Sequence, residues 1–564
     1  MATSILVTVV MVFAILVASV QADSERPYNI LFVLVDDLQP VLGVYGNEVA
    51  QTPNIDALLN RGIRFENMNA QKSECAPSRI SMITGKRNDA IKSWAFLGDF
   101  RTNNPYLHTW PGWLRKDSGY KTVGVGKVVD TRSFFSETGG EDSDEINFPD
   151  LCESSADKFC SFDEYYPPAL MRSQTRSDNP CEKYVLRWPA DPPNETYEAD
   201  KTTFLEYAFD TSVQDRHLDY CIRKVGVEKL KELANDTSTP WFLSVGFVQP
   251  HMPWVARHED FDIYRTVPDS LLNPDPLVAD SVGWWTDKTY SFRDNDELEK
   301  YGNQDDLDDS DRVRGYYAGT HFIDTQVGEL MSVFDSDEIS EEVRNNTMIL
   351  FWGDHGFHLG DHGLFGKKTV YEHATRVPAG FIPPPAWVAL DSSRQNNIGS
   401  YTSCPLDTVD FYPTVLDILG STLPPAVGSS ARLVLAGTSL TGLFSDRDAC
   451  PRSVSISQYE KDGSNMSGSK VTMGYSLRSK CYRFIVYMTL NMKADEPLPS
   501  VSTMSDEELY RYAEPGVWEY DDDIDDTDSD SVNAESKLTA IASAVTDGDW
   551  THVIGSLPFD MNEC

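Results

Sequence analysis

The sequence predicts an α/β protein with a large, mainly parallel sheet sandwiched by helices, followed by a smaller C-terminal α+β subdomain with an antiparallel sheet. Two observations carry the first part: apolar runs recur that suit strands buried on both faces, and stretches of helical apolar spacing separate them. A third carries the rest. Near residue 446 the chain changes to shorter segments rich in Ser, Tyr and Val, which read as antiparallel strands.

Taken in order, each buried strand is expected to end on a polar or glycine-rich turn. Residues 29–35 run into Asp36-Asp37, residues 121–125 into Gly126-Lys127, residues 241–247 into Gln249-Pro250-His251, and residues 347–352 into Gly353-Asp354-His355-Gly356. Helices are predicted over 54–61, 107–118, 314–334 and 406–420, the last closed by Leu423-Pro424-Pro425. Antiparallel strands are predicted over 454–459, 471–477 and 482–488, so a core domain spans 23–446 and a subdomain 447–564. Ligands of parallel sheets bind at the carboxyl ends of the strands, where all four polar clusters fall.

Residues 5–20 of the 564-residue chain are almost wholly apolar and end near Ala22, as in a secretory signal covering 1–22. The segment before that run lacks Lys and Arg, which leaves a retained anchor as the alternative; no later run is long enough to span a bilayer. Nine cysteines are present, and setting Cys75 aside leaves Cys152, Cys160, Cys181, Cys221, Cys404, Cys450, Cys481 and Cys564 for up to four bridges. The spacing of Cys152, Cys160 and Cys181 suggests local bridging. Sequons at Asn194, Asn235, Asn345 and Asn465 agree with a secretory route. A formal net charge of −40 argues against nucleic acid as a partner. It does not exclude an anionic substrate, because a few focused cations outweigh a diffuse acidic surface within a Debye length of about 8–10 Å. Acidic runs at 294–311 and 521–530 read as solvated loops without EF-hand spacing.

Asp36-Asp37 at a strand end is a pair of carboxylates that repel unless a cation is near; a solvated turn is the plain alternative. Asp354 and His355 add a carboxylate and an imidazole, and the oxygen-rich set favours Ca²⁺ or Mg²⁺ over zinc. Cys75 precedes Pro77, a residue suited to the first turn of a helix continuing through Ser78–Thr84, whose N-terminus favours an anion. Arg79 lies one helical turn on, within reach of charge at Cys75. A disulfide half and a thiolate nucleophile are both open readings of Cys75.

A third reading comes from resemblance. Cys75-Ala76-Pro77-Ser78-Arg79 followed by Thr84-Gly85 resembles the signature of the type I sulfatases, in which the cysteine becomes formylglycine (3-oxoalanine). Val35-Asp36-Asp37-Leu38, Gly43-Val44-Tyr45-Gly46, Thr52-Pro53-Asn54-Ile55-Asp56, Gly126-Lys127, Gln249-Pro250-His251-Met252-Pro253, Gly353-Asp354-His355-Gly356, Leu359-Gly360-Asp361-His362-Gly363 and Ala374-Thr375-Arg376-Val377-Pro378 resemble the family's blocks in the same order. The wording is most similar to that of the iduronate-2-sulfatase branch, and the resemblance covers about residues 28–445, more loosely beyond.

The resemblance implies an alkaline-phosphatase-like fold and hydrolysis of glycan sulfate esters, iduronate-2-sulfate-like units of glycosaminoglycans among them. It implies one Ca²⁺ held by Asp36, Asp37, Asp354, His355 and the modified Cys75. Hydrated, the Cys75 aldehyde would be a geminal diol: one oxygen would attack sulfur and displace the sugar alcohol, and deprotonation of the other would expel sulfate and restore the aldehyde. Arg79 would neutralise charge, Lys127, His251 and Lys367 would grip sulfate, and His251 or Lys367 would protonate the leaving oxygen. Implied partners are a sulfated glycan and, during maturation, a formylglycine-generating enzyme, with no membrane contact after signal cleavage and a lysosomal or extracellular destination. The chain departs from the family after Gly126-Lys127, where a histidine is usual two or three residues on and Val128-Val129-Asp130 stands instead. Asp130 either accepts a proton, orients Lys127, or marks an inactive glycan-binding homologue. Phe247-Val248-Gln249 also lack the basic pair expected before His251. A phosphate or phosphonate monoester hydrolase is the other reading, since tetrahedral anions share such sites.

Overall fold

The computed structural model describes residues 27–94, 100–130, 160–172, 181, 197–199, 206–209, 217–272, 309–361, 364–424, 435–460, 470–491, 500–512 and 520–521. The expected signal at 1–22, Cys152, Cys564, the sequons at Asn194 and Asn465, His362-Gly363 and most of both acidic runs lie outside them.

The four apolar runs form neighbouring strands. Along the main sheet the order is Ser400–Thr402, Ile63–Asn69, Arg376–Ile382, Thr347–Gly353, Asn29–Val35, Trp241–Phe247, Lys121–Gly126 and Glu164–Tyr166, with Leu406–Asp407 also pairing with Ile63–Asn69. Neighbours are parallel except at Arg376–Ile382, which is antiparallel to both its partners. That strand carries Pro378 at a register shift between Val377 and Ala379, a place where a missing N–H is tolerated.

Every residue of Asn29–Val35, Trp241–Phe247 and Thr347–Gly353 is buried, as strands covered on both faces require. Alternation sends Leu31, Val33 and Val35 to one core with helices Pro53–Leu59, Leu218–Asn235 and Asp309–Phe334. Ile30, Phe32 and Leu34 enter the other, with helices Cys75–Thr84, Trp110–Ser118 and Phe411–Leu419. Each such side chain contributes about 1.5–3 kcal/mol by burial, so the strands cannot slip register without turning a whole row to the wrong core.

Boundaries differ from expectation where capping chemistry intervenes. The helix predicted over 406–420 is a short strand, a 3-10 turn at Thr408–Asp410 and the helix Phe411–Leu419, because Asp410 accepts the Asp407 N–H at 2.9 Å and turns the chain there. The helix expected from residue 314 starts at Asp309, so the end of the first acidic run is helix rather than loop, with acidic residues at the favourable terminus. The helix bearing Cys75 begins at Cys75 itself, placing Pro77 at its third position.

Beyond residue 454, Ser455–Glu460, Lys470–Arg478, Tyr482–Asn491, Ser500–Tyr512 and Tyr520–Asp521 form an antiparallel sheet. It is seamed to the main sheet by buried ion pairs. Asp407 meets Arg87 at 2.7 Å and also Arg452, while Glu372 meets Arg478 at 3.0 Å and Arg483. The Gln458 N–H donates to the Gln71 carbonyl at 2.9 Å, four residues before Cys75.

Cys181 bridges to Cys221 and Cys404 to Cys450, and Cys160 and Cys481 are also disulfide-bonded. Cys181 therefore does not pair within its local cluster: its partner lies on the helix Leu218–Asn235. Cys75 is the free cysteine among the described residues, which removes the disulfide reading.

Candidate active site

The site forms where three adjacent strands end together. Asn29–Val35 lies between Trp241–Phe247 and Thr347–Gly353 with Val35 opposite Phe247 and Gly353, so Asp36-Asp37 and Asp354-His355 leave the sheet side by side. Asp37 adopts a left-handed backbone (φ 58°), which Asp tolerates better than most residues. Its N–H then donates to Asp354 Oδ1 at 2.9 Å, and its carbonyl accepts the Tyr316 hydroxyl at 2.6 Å. Gly126 is left-handed too (φ 76°) and packs where a Cβ would stand 2.1 Å from the Gly246 carbonyl, so only glycine lets Lys127 fold over that strand end.

Four donors converge there. Ligand atoms of Asp36, Asp37, Cys75 and His355, all buried, lie within 4.8 Å of one another. His355 Nε2 is 3.3 Å from Cys75 Sγ and 3.3 Å from Asp37 Oδ1. Its Nδ1 faces the Gly356 carbonyl at 2.9 Å, which assigns the proton there and turns the Nε2 lone pair into the cluster. Asp354, expected as a fifth ligand, is not one of the four. Its Oδ1 accepts the N–H groups of Asp37 and His355, each at 2.9 Å, and its Oδ2 accepts Arg79 Nε at 2.9 Å.

Three cations balance three carboxylates. Arg79, wholly buried, donates to Asp36 at 3.0 Å, to Asp354 and to the carbonyls of Lys127 and Val128. It thus ties strand ends together and acts on Cys75 by its field. Lys127 Nζ sits 2.6 Å from Asp36 Oδ2 and 3.9 Å from Asp130 Oδ2. Lys367 Nζ sits 2.6 Å from Asp37 Oδ1, 3.2 Å from Cys75 Sγ and 3.5 Å from His355 Nε2. His251 is half-buried on a turn closed by its N–H to the Val248 carbonyl at 2.9 Å, and its field lowers both Asp36 and Asp37.

Burial opposes ionisation of Asp36, but Lys127 and Arg79 outweigh it and hold that carboxyl well below the usual range. Asp37 is likewise lowered against burial, chiefly by Lys367. Asp354 is raised, because its burial exceeds the pull of Arg79 and His355. Burial, reinforced by the Asp36 charge, pushes the Cys75 thiol well above its ordinary value. The thiol is thereby kept protonated, which counts against the thiolate reading.

The sequence-derived residues Asp36, Asp37, Cys75, Arg79, Lys127, Asp354, His355 and Lys367 are all brought together, with His251 at their edge. Two supports were not foreseen. Tyr316 links Asp37 to Gln39, whose N–H reaches its hydroxyl at 2.9 Å, and Ser78 Oγ donates to the Asp354 carbonyl at 2.5 Å. Ser78 stood inside the Cys75 motif and offered a signal; Tyr316 lies 279 residues from Asp37 and offered none.

Comparison with known proteins adds three findings. The sulfatase family model matches residues 28–421. The chain is similar to iduronate 2-sulfatase of Homo sapiens, 28% identical over 534 residues that cover 86% of this chain and 88% of that one. It is similar in structure to a 2-O GAG sulfatase (TM-score 0.59, 16% identity, covering 93% of each chain) and to the phosphonate monoester hydrolase of Agrobacterium radiobacter (TM-score 0.62, 16% identity, covering 93% and 96%). At these identities the structural likeness shows the fold, an alkaline-phosphatase-like α/β sandwich.

Proposed function

The chain belongs to the sulfatase family, and on that premise we propose that it hydrolyses sulfate esters of a glycan, namely iduronate-2-sulfate-like units of glycosaminoglycans. The observation that carries this reading is the convergence of Asp36, Asp37, Cys75 and His355 on one point. We take Cys75 to be converted to formylglycine by a formylglycine-generating enzyme and the point to hold Ca²⁺.

The donor set fits that pair of groups together. A thiol is a soft ligand poorly suited to calcium, whereas a hydrated aldehyde in its place adds hard oxygen to two carboxylates. When present, the ion and the modified side chain supply Lewis acidity and an oxygen nucleophile. The protein's own residues do the remaining work. Lys127 and Lys367 place positive charge on Cys75 from Asp36 and Asp37 respectively, where they offset a sulfate anion. Arg79 holds Asp36 and Asp354 in place and helps keep Asp36 ionised. Asp130 lies in the region where the family has histidine and orients Lys127. His251 or Lys367 is the proton donor to the departing sugar oxygen.

The entry into the secretory route, with a signal at 1–22, a lysosomal or extracellular destination and glycans at Asn235 and Asn345, belongs to the same proposal; both asparagines are exposed. No helix of the described residues is long and apolar enough to cross a membrane. We take residue 447 as the start of the C-terminal subdomain. The test is release of sulfate from a 2-O-sulfated iduronate substrate, compared on one preparation with a phosphonate monoester. Preferential sulfate release supports the reading; preferential phosphonate turnover, or binding without turnover, contradicts it.

A further inference from the structure

A second group of metal-ligating side chains lies behind the site. The chain leaves the strand Thr347–Gly353 through His358 and Asp361, turns in a hairpin that pairs His358 with Gly366 and Leu359 with Phe365, and returns through Lys367 to His373. One ligand atom from each of His358, Asp361 and His373 lies within 4.8 Å of the other two. His358 and Asp361 are buried, and His373 is half-buried.

The geometry is that of a carboxylate oxygen facing two imidazole nitrogens. His358 Nδ1 and His373 Nδ1 both approach Asp361 Oδ2, the second at 2.9 Å. The far sides of the ligands are already oriented. Asp361 Oδ1 accepts the Leu359 N–H at 2.9 Å, and His358 Nε2 meets Thr369 Oγ1 at 2.7 Å. Such outer partners fix the ring and its tautomer in metal sites. Asp361 and His373 also border a cavity of about 260 Å³ shared with Gln39 and Tyr317, roomy enough for a water as a further ligand.

Charge points the same way. Asp361 is a buried carboxylate whose ion-pair partners among the described residues are the two histidines, with no Lys or Arg. A buried carboxylate faced by imidazoles, with no Lys or Arg against it among the described residues, is a place where a divalent cation is favoured. We propose that His358, Asp361 and His373 bind a Zn²⁺ ion, separate from the Asp36/Asp37 centre, which pins the two legs of the hairpin that carries Lys367. Two imidazoles, one carboxylate and a water form a common zinc set, whose tetrahedral edges of roughly 3.4 Å follow from bonds of about 2.1 Å, so His373 and Asp361 part by a few tenths of an ångström to admit the ion. Closing the loop at 358, 361 and 373 would also steady Thr369, whose carbonyl accepts Ser73 Oγ at 2.6 Å two residues before Cys75.

Metal analysis of the full-length protein decides it. Wild type, dialysed against Ca²⁺ and then titrated with Zn²⁺, is expected to retain about one Zn²⁺ per chain. His373→Gln is expected to lose at least about tenfold in zinc affinity, and Thr369→Val about as much, with circular dichroism unchanged. Replacement by Co²⁺ should give visible ligand-field absorption in wild type and none in His373→Gln. Wild-type protein that holds no more Zn²⁺ than His373→Gln and stays colourless with Co²⁺ overturns the proposal, whatever the variants' stability.

Discussion

The Nε2 atom of His355 lies 3.3 Å from the Sγ atom of Cys75, although the two residues are 280 positions apart in the chain. An imidazole nitrogen aimed at a buried protonated thiol is poor chemistry for either alone. It is a sensible arrangement if the sulfur marks the place of an oxygen that shares a cation with the ring. Replacing Cys75 by Ala is expected to reduce sulfate release to the uncatalysed background, while thermal unfolding shifts by only a few degrees, since the thiol makes few polar contacts. Release above background from Cys75→Ala would show that another group is the nucleophile.

Arg79 stands between Asp36 and Asp354 without exposure to solvent. Arg79→Ala leaves two buried carboxylates without their partner, a loss of about 3–5 kcal/mol. Arg79→Lys keeps the charge but cannot reproduce the forked contacts and is expected to be folded with turnover reduced at least about tenfold. The check is a denaturant titration beside kcat for the two variants.

Asp130 is 3.9 Å from Lys127, whose ammonium is committed to Asp36 at 2.6 Å. If Asp130 orients Lys127 rather than moving a proton, Asp130→Asn lowers kcat by about tenfold and leaves the pH profile in place. A proton-transfer role predicts a larger loss, in the range of about 10²–10⁴, with one limb of the profile displaced.

Calcium removal is a further check. Asp36 and Asp37 adjoin each other at the same buried point, so a divalent ion that binds only the folded chain stabilises it by mass action. Chelation followed by re-addition of Ca²⁺ is expected to lower and then restore Tm and activity together. Re-addition of Mg²⁺ should restore less, because its stricter octahedral geometry suits this mixed set poorly.

Glu372 gives the pH prediction. Burial works against its ionisation, but Arg478, Arg483 and Arg376 hold its carboxyl below the ordinary glutamate value of about 4.5. The unfolded chain therefore binds the proton more readily than the folded one, and this stabilisation is present above pH 4.5 and lost as pH falls through the folded value. Glu372→Gln should be destabilised by about 3–5 kcal/mol at pH 7, and the gap to wild type should narrow below pH 4.5. Urea titrations at neutral and acid pH measure both.

Much of the site was legible because apolar runs end abruptly on polar turns. Asp36-Asp37, Lys127, His251 and Asp354-His355 each follow such a run, and parallel pairing then collects strand ends in one place. The reversed strand Arg376–Ile382 was not legible, because its direction is set by the return path through the hairpin at His358–Gly366 instead of by its own composition. The contacts of Asp354 were hidden for a similar reason. Its side chain meets Arg79 and two backbone N–H groups whose positions depend on the left-handed turn at Asp37, and its Oδ2 lies 3.6 Å from His355 Nε2. The bridge from Cys181 to Cys221 is likewise a tertiary fact that cysteine spacing alone does not contain.

The most direct test of the central claim is the mass of the tryptic peptide spanning residues 73–79, isolated from protein made in a host that has the modifying enzyme. The account predicts a peptide lighter by the difference between a thiol-bearing and an aldehyde side chain, unreactive to thiol alkylation and reactive to hydrazide. An unmodified Cys75 in protein that nevertheless releases sulfate would contradict it.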